Sequence, residues 1–185
     1  MSEDERAKAA EVIGTGAIIY NDLSTDRVTD VNFDLDRVCD FEGETGPYIQ
    51  YAHTRCLGIL RNAPAELLAG IQIPKLMDLA AAQPGFEKLA TAAQAKLSQA
   101  EEIDLIRTLA RLPMILDFVL EGYRPNVLAT YLIDVTKTFN VFYRAHKVLV
   151  EDAELARARL ALVLATQRTL LKGLSLLGMR VPARM

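Results

Sequence analysis

Apolar residues recur along this chain at intervals of three and four, the spacing of one face of an α-helix. The clearest instance lies between residues 47 and 62. There Ile49, His53, Cys56, Leu57 and Leu60 share one arc, while Tyr48, Tyr51 and Arg55 fall on a narrow stripe roughly 120° away. The apolar arc predicts the buried face, which leaves the stripe free to meet something else. Thr45, Gly46 and Pro47 start this helix, because proline is pre-set for the first helical turn and its missing N–H is no loss there.

The same reading gives the rest of the chain. Ser2 followed by Glu5 is a capping box opening a helix through Val12, Ile13, Ala17 and Ile18, which ends at YNDLSTD. RVTDVNFDLDRVCDF alternates as a short extended piece feeding a short helix from about Asp34. The main boundary falls between Gly43 and Gly46. Residues 63–97 give no single pattern: Pro64, Pro74 and Pro84 interrupt alanine-rich patches, which predicts one or two short helices and a loop. Ser98 followed by Glu101 is a second capping box, opening a helix to Leu112, and Pro113 kinks or restarts it into MILDFVLEGY. RPN at 124–126 resets the chain. A long helix is predicted from Val127 to about Val150, and a last one, restarted by EDAEL, to Leu177, with Gly178 as its cap. Amphipathic helices joined by short turns predict an all-α antiparallel helical bundle over residues 46–185. A short helical linker segment over residues 1–45 precedes it. No repeat of solenoid period is present.

Composition narrows this little. The chain has 185 residues, 51% hydrophobic and 6% aromatic, with no tryptophan, which suits leucine- and alanine-rich helices in one large domain or a domain with an appendage. No apolar run approaches the ~20 residues that span a bilayer. The polar start MSEDERAKAA is neither a signal peptide nor a transit peptide, and Cys39 and Cys56 are too few for a disulfide framework. A cytoplasmic protein with no membrane partner is expected. Charge changes the picture more. The net charge of −3 hides an asymmetry: residues 1–50 carry 4 basic and 12 acidic side chains, and residues 51–185 carry 17 and 12. The body is therefore moderately basic and permits an anionic partner without announcing one.

Catalytic chemistry is missing from the pattern. There is no glycine-rich phosphate loop, no GxSxG and no HExxH. His53 lies on the apolar arc as a core histidine. His146 stands near the basic end of its helix, where it either contacts RNA or favours the helix dipole. The chain reads as a binding module, and the stripe admits two readings. Two phenol rings beside a guanidinium can stack on unpaired bases while the arginine reaches phosphate or a base edge. Alternatively, both tyrosines pack against a neighbouring helix and Arg55 pairs with a carboxylate. A second cluster, TFNVFYRAHK at 138–147, puts Phe139, Phe142 and Tyr143 on one side of a helix and Asn140, Arg144 and Lys147 on another. The two phenylalanines read as core. Asn140, Tyr143 and Arg144 read either as polar groups at the core edge or as RNA contacts. The final RVPARM is too polar for a core strand and is either frayed or docked.

Taken in order, these pieces resemble one family: the C-terminal part of arginyl-tRNA synthetase, a class I aminoacyl-tRNA synthetase. GTGAIIYNDLSTDRVTDVNFDLDRVCDFEGETGPYIQYAHTR resembles the passage from the end of that family's catalytic domain into its anticodon-binding domain. LIRTLARLP, LATYLIDVTKTFNVFYR and RLALVLATQRTLLKGLSLLGMRVPARM are similar to the later helices of that domain. The resemblance implies a helical bundle that recognises the anticodon loop of arginine tRNA. It carries tRNA contact to Tyr48, Tyr51 and Arg55 through the PYxQYxxxR motif, to Asn140 and Tyr143 through FNxFY, and to Met185 through the terminal PxxM. Where the family often has proline-histidine before LATYL, this chain has Pro125-Asn126. HIGH-type and KMSKS-type motifs do not occur in the 185 residues, so the resemblance implies an upstream catalytic domain as partner. ATP and arginine belong to the full-length enzyme, and no cofactor is expected in this chain. A free-standing helical homologue, used for protein contacts or for binding tRNA in trans, is the alternative.

Overall fold

The computed structural model describes residues 1–31, 33–80, 87–88, 90–91 and 96–185, and it is helical throughout, with no strand among the described residues. Helix α1 spans Glu3–Ser24, opened by the Ser2/Glu5 capping box. A four-residue helix, α2, Leu35–Val38, follows the Asp34 N-cap. Helix α3, Gly46–Asn62, starts on the Thr45 hydroxyl, which accepts from the Tyr48 N–H, with Pro47 in the first turn. Helices α4, Ala100–Ala110, and α5, Leu112–Gly122, are separated at Arg111, with Pro113 in the first turn of α5, and α6, Pro125–Ala145, and α7, Ala153–Leu176, complete the chain. Gly178 (φ +75°) ends α7 with a left-handed cap: its N–H bonds Ser175 and the Met179 N–H bonds Leu174.

Helix α3 packs on α7 and α6, α4 packs on α6 and α7, and α1 lies across α3 and α6. The shared core is built from Ile49, Leu57 and Leu60 of α3, Leu105 of α4, Leu132, Phe139 and Phe142 of α6, and Leu160, Leu164 and Leu170 of α7, all fully buried. At about 1.5–3 kcal/mol per buried side chain of this size, this core fixes the relative placement of α3 and α6. The apolar arc of α3 is the buried face, His53 and Cys56 included.

Several expectations are corrected. The second capping box is shifted by one residue: the Glu102 carboxylate, not Glu101, accepts from the Ser98 and Gln99 N–H groups at 3.0 Å each. The reason is tertiary. Glu102 is fully buried against the Arg159 side chain of α7, whose Nε donates to it at 2.9 Å. Helix α6 ends at Ala145 rather than near Val150, because His146 is extended and the Lys147 carbonyl accepts from Arg159 at 2.7 Å instead of continuing the helical ladder. The expected extended piece after Arg27 is instead a turn over 26–29, closed by the Thr29 N–H on the Asp26 carbonyl and by the Asp26 side chain. In 63–97, where one or two short helices and a loop are expected, the described part holds two single-turn 3₁₀ segments, Ala65–Leu67 and Ile73–Lys75, and helical residues at 87–88, 90–91 and 96. Side chains of α7 pin this stretch: Gln167 donates to the Leu76 carbonyl, and Arg168 donates to those of Asp78 and Leu79. The reading at Pro84 lies outside the described residues.

Candidate nucleic-acid interface

Two helices build the site. Tyr48, Tyr51 and Arg55 leave α3 on the side that meets α6, and Asn140 and Tyr143 leave α6 one turn apart to meet them. The Arg55 guanidinium donates to Asn140 Oδ1 at 2.8 Å, and Asn140 Nδ2 donates to the Tyr48 hydroxyl at 2.9 Å. The single amide of Asn140 therefore holds Arg55 and Tyr48 together. The Arg55 guanidinium carbon lies 4.7 Å from the Tyr51 ring centroid and 5.3 Å from that of Tyr143. Tyr143 in turn lies stacked on the buried Phe139, with centroids 6.0 Å apart and planes 22° apart. Phe139, Tyr143, Arg55 and Tyr51 thus form a column that begins in the core and ends in solvent. Tyr51 and Tyr143 are 41% and 39% exposed; Tyr51, at the end of the column, keeps a ring face for a planar partner, and Tyr143 presents its edge. The Tyr48 ring is half-buried and packs on the core, which makes its hydroxyl, not its face, the part available to a ligand.

The carboxylate expected under one reading of Arg55 is not there: among the described residues it takes part in no ion pair, and its hydrogen bond is to a neutral amide. A guanidinium has five N–H donors, so most of its donors remain for a ligand. Cation–π contact with two rings, about 0.5–1 kcal/mol each at exposed sites, holds it in place without neutralising it. Nearby, Arg144 is exposed, bonded only to the Asn140 carbonyl on its own helix. Lys137 pairs with Glu44 at 2.6 Å, and this bond raises the lysine pKa above its usual value.

Met185 stands apart from this column. The tail is docked, not frayed: Gln50 donates to the Arg180 carbonyl and Arg61 to the Ala183 carbonyl, both at 2.8 Å. Met185 is half-buried at its end and shares no hydrogen bond or ion pair with the other five residues. Gln50 and Arg61 were not singled out from the sequence. Their partners in the tail are backbone carbonyls about 120 to 130 residues away, and no local pattern signals such a bond. The histidines lie elsewhere. His53 is fully buried beside Gln167, and burial together with the Arg61 charge lowers its pKa to about 4. His146 contacts Glu101 at 3.0 Å.

The model of the DALR anticodon binding domain matches residues 49–185. The chain belongs to this family. The match takes in the part of the DALR domain that carries Tyr51, Arg55, Asn140, Tyr143 and Met185. Over its full length the chain is 37% identical to the arginine–tRNA ligase of Haloarcula marismortui and spans 28% of that protein. It is 33% identical over 182 residues to that of Alkaliphilus metalliredigens, again 28% of the relative's length. Among solved structures, arginyl-tRNA synthetase of Thermus thermophilus superposes with a TM-score of 0.78 at 30% identity, over 96% of this chain and 27% of that one. The Plasmodium falciparum enzyme superposes with a TM-score of 0.76 at 28% identity. The chain therefore spans less than a third of the length of each of these four proteins. No helix among its described residues is long and apolar enough to cross a membrane, and no group of three metal-ligating side chains gathers among them.

Proposed function

We propose that this DALR domain binds the anticodon loop of arginine tRNA and, as part of an arginine–tRNA ligase, orients that tRNA for arginylation. The observation that carries the reading is the column ending in Tyr51, with an un-neutralised Arg55 clamped between two half-exposed phenol rings. An unpaired loop base extends the column on Tyr51, a stack worth about 1–3 kcal/mol, and the exposed edge of Tyr143 borders the loop beside it. Arg55 supplies charged donors to a phosphate or a base edge. Asn140 and Tyr48 hold Arg55 in register, and Met185 meets the loop from the docked tail. ATP and arginine are substrates of the catalytic part of the ligase, not of these residues.

Residues 1–45 fit the same reading as the passage from that catalytic part. Val28 (84% exposed), Leu35, Phe33 and Phe41 leave apolar surface uncovered among eight acidic side chains between residues 22 and 44, a surface suited to a protein neighbour and unsuited to RNA. Slower amide exchange at 26–41 in a full-length ligase than in this chain is the expected result, and equal exchange would count against the assignment.

The direct test of the site is Tyr51→Ala. Affinity for arginine tRNA should fall by about 5- to 150-fold, the equivalent of one lost stack, with helical content unchanged. Unchanged affinity would remove the column from the site.

A further inference from the structure

Gln50 immediately precedes Tyr51 but points about 100° away around α3, and its side chain is fully buried. Its carboxamide nitrogen donates to two main-chain carbonyls from distant parts of the chain: Val12 in the middle of α1, at 3.3 Å, and Arg180 in the tail, at 2.8 Å. Both facing groups are acceptors, so only the orientation with nitrogen toward them makes bonds; the flipped amide would set oxygen against two oxygens. Its own oxygen is buried with no partner among the described residues, so the residue serves here through its donors. Eleven residues later Arg61 returns to within about 20° of the same face and donates to the Ala183 carbonyl. The tail is thus a strap along α3, gripped at two carbonyls three residues apart.

Room for the grip comes from glycine. A Cβ on Gly16 would lie 2.6 Å from Gln50 Nε2, and one on Gly46 would lie 2.8 Å from the Gly16 carbonyl oxygen. Only with both positions bare can α1 approach closely enough for the Val12 carbonyl to meet the carboxamide.

We infer that Gln50 is the positioning residue of the tRNA site: through the tail it sets where Met185 stands relative to Tyr51 and Arg55, and it ties that placement to α1. The inference rests on the anticodon-loop reading above. Gln50 touches no RNA in it. It acts through Met185, and the strap and the aromatic column leave the same helix on different sides, so Gln50, with Arg61 further along α3, sets the distance between the two halves of the site.

The test uses the full chain. Gln50→Met keeps the length and apolar stem of the side chain and deletes both donors. Gly16→Ala leaves Gln50 intact but drives its carboxamide off the carbonyls. Backbone order parameters of residues 180–185, measured by ¹⁵N relaxation in the free protein, should fall from about 0.85 to below about 0.6 in both variants. Affinity for arginine tRNA should drop about three- to tenfold, equivalent to re-ordering a short segment on binding. Repeated in a chain lacking Met185, either substitution should cause no further drop, since a residue acting through another is not additive with it. An ordered tail in Gln50→Met, or an equal affinity loss with and without Met185, would overturn the inference. Absence of any tRNA preference in the unaltered chain would instead overturn the anticodon reading, and the relaxation data would still decide whether Gln50 holds the tail.

Discussion

Asn140 offers a way to separate holding the site from neutralising it. Its amide accepts from Arg55 at 2.8 Å and donates to Tyr48 at 2.9 Å. A hydrogen bond from a charged donor contributes about 1.5–3 kcal/mol and a neutral one about 0.5–1.5 kcal/mol. Both lie in a part-buried setting, where water recovers some of the loss, so the low end of each range applies. Asn140→Ala should therefore cost about 2 kcal/mol, which for a chain of this size lowers Tm by about 4–8 °C. It also frees Arg55, and re-ordering that side chain on binding costs about 0.5–1.5 kcal/mol, or about two- to twelvefold in affinity. Asn140→Asp acts in the opposite sense on the two readouts. It supplies Arg55 with the carboxylate it lacks, holding Tm near that of the unaltered chain, but it cancels the charge offered to phosphate. Its affinity for RNA should fall below that of Asn140→Ala. Thermal melts followed at 222 nm, with anisotropy of a labelled anticodon stem-loop, measure both. If Asn140→Asp binds the stem-loop as tightly as the unaltered chain, the free charge on Arg55 is irrelevant to binding and the argument built on it fails.

Two further outcomes follow from the core. Because burial, with the Arg61 charge, lowers the His53 pKa from its ordinary value of 6.5 to about 4, the unfolded chain binds this proton more readily than the folded one. Stability should then be full above pH 6.5 and decline as pH falls toward 4, by up to about 1.4 kcal/mol per pH unit. His53→Gln should flatten the denaturation midpoint over that window, and an unchanged slope would show that His53 is not its source. Arg159→Met strands the buried Glu102 carboxylate and the Lys147 carbonyl. Breaking such a pair costs about 3–5 kcal/mol, and the paired replacement Arg159→Met with Glu102→Gln, which removes the stranded charge but keeps an acceptor for the Ser98 and Gln99 N–H groups, should recover part of it. A double variant less stable than the single one would contradict the pairing.

Local punctuation was the readable part of this sequence. Asp34, Thr45-Gly46-Pro47 and Pro113 mark helix starts where the structure has them, because caps and prolines act within one turn of themselves. The apolar arc of α3 was legible for the same reason: helical periodicity is a property of neighbours in sequence. What failed was decided across the fold. Arg159 reaches from α7 to Glu102 and to the Lys147 carbonyl, and so moves one capping box by a residue and ends α6 early. The stripe was visible as a stripe, yet whether Arg55 met a carboxylate depended on Asn140, 85 residues further along the chain. The column through Tyr143 to Phe139 likewise exists only once α3 and α6 are packed. Gln50 looked like one polar residue in a crowded motif, and its role became legible only when the tail was seen lying on it.

The central claim is that this domain by itself distinguishes an anticodon loop. The most direct measurement is binding of the chain to arginine tRNA and to the same tRNA with an altered anticodon, at low and at physiological salt. Phosphate attraction weakens both steeply with salt, whereas stacking on Tyr51 and contacts to base edges belong to the correct loop. Tighter binding of the unaltered tRNA is expected at both salt concentrations, with the difference abolished by Tyr51→Ala. Equal, salt-sensitive binding of the two tRNAs would contradict it.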